Sequence, residues 1–105
     1  MDEKDFQKAL DKFKSQLAEI QESKEQICLI RYLDDPDAYT SCINRWFQSL
    51  RLQESRIKAS IAYSQMLVVK CIEDKNDLGY CWQKSSRQLE AGFAEVINRL
   101  EQDDF

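Results

Sequence analysis

Large apolar residues recur at alternating intervals of four and three positions in three separate stretches of this chain. That spacing keeps one side of an α-helix apolar over many turns, so it predicts three long amphipathic helices. In the first stretch the repeat comprises Phe6, Leu10, Phe13, Leu17, Ile20 and Ile27, with Lys24 in one position. In the second it comprises Ile43, Phe47, Leu50, Glu54, Ile57, Ile61, Ser64, Val68 and Cys71, with Trp46 and Ile72 alongside. In the third it comprises Trp82, Ser86, Leu89, Phe93, Val96 and Leu100, with Ile97 alongside.

Two short segments interrupt these repeats and contain residues that end helices. The first is residues 34–37, where Pro36 disfavours helical geometry in the residue before it, and the second is residues 75–79. The sequence has only 2 glycines and 1 proline, so it offers few other places for a turn. We therefore predict helices over residues 3–33, 39–74 and 80–102. The residues expected to cap or end the second helix are Asp37, Thr40 or Ser41 at its start and Asn76 or Gly79 at its end.

Short connections between long helices make successive helices antiparallel. The predicted fold is an all-α, elongated antiparallel three-helix bundle, spectrin-like in shape and about 40 to 50 Å long at 1.5 Å per residue. Residues 1–105 are expected to form a single domain. Folding the chain at its two breaks predicts three contacts between the second and third helices, namely Ile57 with Ile97, Ile61 with Phe93 and Ile72 with Trp82.

The overall composition favours a small acidic protein of the cytoplasm. No apolar run approaches the roughly 20 residues that cross a bilayer, and the first residues do not resemble a secretion signal. The net charge of −4 and the pI near 4.8 disfavour nucleic acid and anionic membranes as partners.

Four cysteines permit two interpretations. Cys28 and Cys42 lie almost evenly about the first break, and Cys71 and Cys81 about the second, so each pair is placed to meet across a helical hairpin. Small helical-hairpin proteins of the mitochondrial intermembrane space are cross-linked in a related manner. In the usual form of that family both cysteines of a Cys-x9-Cys motif lie on one helix, whereas here the nine residues between Cys71 and Cys81 span a turn. The other interpretation, which we favour in a cytoplasmic chain, is that all four are free and behave as small buried hydrophobic residues.

The sequence lacks the residues that most catalytic and metal sites use. It contains no histidine, no Cys-x-x-Cys pair and no glycine-rich phosphate loop, so we expect no enzyme, no metal site and no cofactor. Asp34, Asp35 and Asp37 are expected to cap a helix instead of binding a cation. Glu54, Lys24 and Arg31 fall within the apolar repeats. A buried carboxylate at position 54 would have a raised pKa suited to acid-base chemistry, but polar residues in such repeats more often fix the register or reach out to solvent.

The second helix departs from the acidic average of the chain. Residues 40–72 contain five cations and one carboxylate, and several of the cations alternate with apolar residues on the side opposite the apolar repeat. Arginine and tyrosine on such a surface favour a protein interface, and an acidic amphipathic helix or segment would complement it. The predicted partner-binding residues are Arg45, Leu52, Arg56, Tyr63, Met66, Leu67 and Lys70.

These observations predict a non-catalytic, protein-binding module, such as an adaptor, a chaperone-like subunit or an assembly factor. One alternative is that the arc from Ile61 to Ile72 is internal and the cations only balance the acidic first and third helices. A second is a self-associating subunit, a homodimer or coiled-coil assembly, joined through Tyr63, Met66 and Leu67. The segment Leu52-Gln53-Glu54-Ser55-Arg56 also resembles the tubulin-binding cofactor A family, a resemblance that would imply a small helical chaperone for tubulin.

Overall fold

The computed structural model describes residues 3–102, which form three helices and no strand. Helix α1 spans Glu3–Arg31, α2 spans Pro36–Glu73 and α3 spans Leu78–Gln102. The helices pack against one another as an all-α three-helix bundle, so the predicted fold class is confirmed. Residues 1, 2 and 103–105 of the predicted domain lie outside the described part of the chain.

The first turn is shorter than predicted because a different aspartate caps α2. The carboxylate of Asp35 accepts a hydrogen bond from the backbone N–H of Ala38 at 3.1 Å. Pro36 occupies the first helical position, where the backbone N–H that proline lacks would have no partner within the helix. Helix α2 therefore begins at Pro36 instead of residue 39, and none of the predicted caps Asp37, Thr40 and Ser41 has that role.

The second turn also differs in detail from the prediction. Lys75 has the left-handed backbone conformation, with φ of 62°, whereas Asn76 and Gly79 do not. Gly79 lies in the first turn of α3, where the Asp77 carboxylate accepts a hydrogen bond from the backbone N–H of Tyr80 at 3.2 Å. Asn76 has a different function, because its side-chain amide donates to the backbone carbonyl of Cys71 at 3.1 Å and closes the end of α2.

Aromatic residues of α1 join the core to α3. The rings of Phe13 and Phe93 stack with their centroids 3.9 Å apart, and Phe6 meets Trp82 edge to face at 5.7 Å. The predicted repeat of α3 is buried as expected. Its buried members are Ser86, Leu89, Phe93, Val96, Ile97 and Leu100.

Helix α2 turns most of its predicted repeat inward, and only two members of that repeat, Phe47 and Glu54, are exposed. Trp46, predicted to lie beside the repeat, is fully buried, and its indole N–H points to the side-chain oxygen of Gln21 at 3.4 Å. Phe47, predicted to be central, is 44% exposed. Ile57 and Ile61 pack against the core as predicted, whereas Ile72, predicted to contact Trp82, is 47% exposed.

Disulfides join the helices at both turns. Cys28 is bonded to Cys42 and Cys71 to Cys81, with Cα atoms 5.7 and 5.6 Å apart. The interpretation of all four cysteines as free thiols is therefore wrong. The pairing follows from the antiparallel geometry, because positions equally distant from a turn lie side by side on neighbouring helices.

The bundle is longer than predicted, and α3 does not extend along its full length. It measures 62 × 20 × 16 Å because α2 alone has 38 residues, which span about 57 Å. Helix α3 has only 25 residues and runs antiparallel to α2, as the contact of Arg56 with Glu95 shows. It therefore ends before it reaches the turn between α1 and α2. Within residues 3–102 only α1 and α2 reach that turn, and we call the turn and its flanks, residues 22–37, the hairpin tip.

We predict that the native protein contains no alkylatable thiol unless it is first reduced. Reduction should lower the free energy of unfolding by roughly 3 kcal/mol for each bond, because each closes a loop of only ten to fifteen residues in the unfolded chain. Alkylation with mass spectrometry and thermal denaturation with and without reductant measure the two effects. Labelling of cysteines in the folded, unreduced protein would contradict the pairing.

Helices α2 and α3 approach closely where small residues face each other. A Cβ atom built on Gly92 would lie 3.0 Å from the Cβ of Ser60, and closer still to its hydroxyl oxygen. Further along the same contact, the Ser85 hydroxyl donates a hydrogen bond to the backbone carbonyl of Ser64. The absence of a side chain at Gly92 therefore sets the distance between the two helices.

We predict that Gly92→Leu lowers the free energy of unfolding by about 2 kcal/mol or more, since extra atoms would force the helices apart. The matched control is Ala91→Leu, which adds a leucine at an exposed position of the same helix and should change stability by less than about 0.5 kcal/mol. Chemical denaturation of both variants measures the difference. Equal stabilities would show that a side chain at position 92 can be accommodated between α2 and α3.

Candidate protein-binding face

The side of α2 that faces away from α1 and α3 carries a second repeat of four and three residues. We call it the outer seam, and all of its members are exposed. They are Leu52, Ser55, Ala59, Ala62, Met66 and Val69. A row of small and apolar residues with this spacing matches the geometry by which one helix packs along another.

Cations flank the outer seam on both sides. Arg56 and Lys70 lie along one edge and Arg51 and Lys58 along the other, where an approaching helix would place its own flanking residues. Tyr63 is 53% exposed on the first of these edges. The face therefore combines an apolar centre with a basic rim.

Two of the cations are already in ion pairs on the surface. Arg56 lies 3.4 Å from the Glu95 carboxylate, which also pairs with Arg99 at 3.0 Å. Lys58 lies 2.9 Å from Glu54. Within residues 3–102, Arg51 and Lys70 form no ion pair, so their charge is available to a partner.

Glu54 does not have the environment of a general acid or base. It is exposed, and the hydrogen bond and positive charge of Lys58 lower the pKa of its carboxyl group. This shift is opposite in direction to the raised pKa that a buried carboxylate would have. The sequence-based candidate for acid-base chemistry is therefore a surface ion-pair partner.

Most of the predicted partner-binding residues are accessible. Leu52 and Met66 are 75% and 67% exposed, and both belong to the outer seam. Arg45 and Lys70 are also exposed. Leu67 differs, because it lies on the α3 side of the helix and is partly buried. The alternative that the arc from Ile61 to Ile72 is wholly internal does not hold for Tyr63, Met66, Val69 and Ile72, which are exposed.

Ala62 and Val69 belong to the face but were not among the predicted partner-binding residues. Ala62 and Val69 line a shallow open depression with Met66, and Val69 is 58% exposed. Their signal was present in the sequence as the second repeat of four and three residues. Because the apolar residues near the end of α2 occur on several sides, that repeat could not be separated from the core repeat without the packing of the other helices.

Two further features were sought among residues 3–102, a metal-binding cluster and a membrane-spanning helix. No three or more cysteine and carboxylate side chains come together there in a way that would hold a metal ion. In this part of the chain no helix combines the length and the apolar character needed to cross a bilayer. No protein-family model, curated protein or solved structure matches the chain.

We predict that Val69→Ser changes the free energy of unfolding by less than about 0.5 kcal/mol, because the side chain already lies in water. Val68→Ser provides the matched comparison at the adjacent buried position, and should cost about 2 kcal/mol through lost packing and a buried hydroxyl. Urea denaturation distinguishes the two. A large loss of stability from the change at position 69 would mean that the outer seam is covered.

Proposed function

We propose that this protein is a non-catalytic helical module that binds another protein through the outer seam of α2. An adaptor, a chaperone-like subunit and an assembly factor all use such a surface. The observation that supports the proposal most directly is the exposure of all six outer-seam residues on a well-packed helix. Monomeric proteins rarely expose extended apolar surface without a binding role.

The basic rim defines the chemistry of the partner. An amphipathic helix with small and apolar residues along one stripe and Glu or Asp on either side would complement Arg51, Lys58 and Lys70. The seam from Leu52 to Val69 extends over about five turns of helix. A partner helix of about 18 residues would cover it.

The proposed partner is a protein, and the proposal involves no nucleic acid, membrane or cofactor. The protein as a whole is acidic, with a net charge of −4, although the outer seam is flanked by cations. A nucleic acid would meet repulsion from the rest of the molecule. A short acidic helix can contact the basic rim without approaching the acidic parts of the molecule.

The alternative of self-association through the outer seam has an electrostatic disadvantage. Two copies of α2 packed along this seam, parallel or antiparallel, would bring cations against cations, because no flanking position of the seam carries a carboxylate. Tyr63 and Met66 are available for such contact, whereas Leu67 is partly buried. We therefore place the acidic helix ahead of a symmetric α2 pairing.

A tubulin chaperone remains a distant proposal. It depends on the segment from Leu52 to Arg56, in which Leu52 and Ser55 lie on the outer seam and Gln53 is partly buried. Five residues carry little weight by themselves, and no family model matches. The acidic-helix proposal does not depend on it.

The two disulfides favour location in an oxidising compartment over the cytoplasmic location expected from the sequence. Structural disulfides persist where thiols are not kept reduced, and small domains gain much of their stability from them. The proposal of a disulfide-stapled helical protein, raised by the spacing of the cysteines, is therefore preferred. Thiol trapping in intact cells tests it, and fully reduced cysteines at steady state would favour the cytoplasm.

Binding to a designed peptide tests the proposed function directly. The probe is a fluorescent helical peptide of about 18 residues with Leu and Ala along one stripe and Glu at its flanks. We expect it to bind the oxidised full chain, with affinity falling as salt rises because the contacts are partly ionic. A peptide with Lys in place of each Glu is the control, and equal binding of both peptides would contradict the proposed charge complementarity.

Variants of the protein then locate the site. Replacing both Tyr63 and Met66 with serine should weaken peptide binding by about tenfold or more, because central aromatic and apolar contacts contribute most to such interfaces. Tyr80→Ser is the matched control, since Tyr80 is 52% exposed but lies on α3. Fluorescence anisotropy measures all three proteins. Unchanged binding by the double variant would exclude the outer seam.

A further inference from the structure

The hairpin tip exposes three large aliphatic side chains near the end of α1. Leu29, Ile30 and Leu33 are 50%, 78% and 71% exposed. Leu29 and Ile30 belong to α1, and Leu33 follows in the turn. Single exposed aliphatic residues are common on protein surfaces, whereas three within five positions form a patch of the kind that marks a binding surface.

The Cys28–Cys42 disulfide fixes the outward direction of this cluster. The bond turns Cys28 towards α2, and Cys28 is fully buried. Leu29 and Ile30 follow Cys28 by about 100° and 200° around the helix axis, so Leu29 points to the side and Ile30 points away from α2. Among residues 21–45 the two bonded cysteines are the only buried side chains. Turning α1 to bury the aliphatic cluster would therefore require the disulfide to break.

Carboxylates border the cluster on the same side of α1. At about 100° per residue, Glu22 lies within about 20° of Leu29 around the axis, and Glu19 lies within about 20° of Ile30. Both carboxylates are exposed, as is Asp34 in the turn. The apolar cluster thus lies between acidic residues of α1 and an acidic residue of the turn.

The cations of this part of the chain lie on another side of α1. Residues 19–34 contain two, Lys24 and Arg31, which lie about 140° and 160° around the axis from Leu29. The border of the cluster on α1 is therefore acidic. This is the reverse of the outer seam, whose flanking residues are basic.

We propose that the outward side of the hairpin tip binds a basic amphipathic helix of another protein. Aliphatic residues along one stripe of that helix cover Leu29, Ile30 and Leu33, and lysine or arginine beside the stripe meets Glu19 and Glu22. The proposal goes beyond the function proposed for the outer seam, because it concerns a second surface, on another helix, and a partner of the opposite charge.

The charge of the whole molecule favours the same partner. The chain has a net charge of −4, so a cationic helix is attracted before it makes contact. A nucleic acid or an anionic membrane is repelled by that charge and by the carboxylates at the tip. The apolar part of the tip extends over little more than one turn of helix, so its complex is weaker than one that covers the five turns of the outer seam.

The lysine-flanked control peptide is the probe for the tip. We expect it to bind the oxidised full chain at least about tenfold more weakly than the glutamate-flanked peptide binds the outer seam, because less apolar surface is covered. Its affinity should fall as salt rises, since the contacts are partly ionic. Fluorescence anisotropy measures the binding. No binding up to the highest soluble protein concentration overturns the proposal.

Serine variants place the lysine-flanked peptide on the molecule. Replacing both Ile30 and Leu33 with serine should weaken its binding by about tenfold or more, because these side chains form the apolar contact. The matched control replaces Leu78 and Tyr80, which are 54% and 52% exposed at the other turn, and should leave binding unchanged. Circular dichroism monitors folding. Unchanged binding by the tip variant overturns the proposal.

Reversal of charge at the tip tests the acidic border separately. The variant carries Glu19→Lys and Glu22→Lys, both at exposed positions, and should bind the lysine-flanked peptide about tenfold more weakly or less, because like charges now face each other. An affinity equal to that of the wild type would contradict the role of the carboxylates.

The two binding proposals fail separately. The variant with serine at positions 63 and 66 should lose the glutamate-flanked peptide and keep the lysine-flanked one, and the variant with serine at positions 30 and 33 should do the reverse. Loss of both peptides in either variant indicates one shared site and overturns the tip as a separate surface. Sedimentation covers the remaining occupant, because a wild-type dimer that disappears in the tip variant assigns the tip to a second copy and overturns the basic partner.

Discussion

The orientation of α2 about its own axis determines which of its side chains face solvent, and the two disulfides hold that orientation in place. Cys42 and Cys71 are both on α2, about eight turns apart, and they fall on nearly the same side of the helix. One is bonded to α1 and the other to α3, so this side faces inward at both ends of the rod. The outer seam lies on roughly the opposite side and therefore faces outward along the same length.

The close contact of α2 with α3 reinforces this arrangement. Gly92 and Ser60 allow the two backbones to approach, and Trp46 fills the space near the end of α3. Helix α1 contributes Phe13, whose ring stacks on that of Phe93 in α3. Helix α2 contacts both other helices, and its remaining side is exposed among residues 3–102.

The hairpin tip follows from a simple difference in helix length. Helix α3 is thirteen residues shorter than α2, so among residues 3–102 only α1 and α2 extend to that end. Apolar residues that a third helix would cover elsewhere, such as Ile30 and Leu33, are exposed at the tip.

The sequence by itself determined the three helices, their approximate bounds and the buried side of α3. These features depend on local periodicity and on turn-forming residues, which the chain places in only two short segments. It also placed the basic character on the second helix and brought the cysteines into two candidate pairs. Only the tertiary structure decided that Trp46 is buried and Phe47 exposed, that Ile72 faces solvent, and that Ala62 and Val69 belong to the accessible face. The physical reason is that α2 has apolar residues on more than one side, so its own repeat predicts most of the inward residues, and its bonds and contacts with α1 and α3 decide the others.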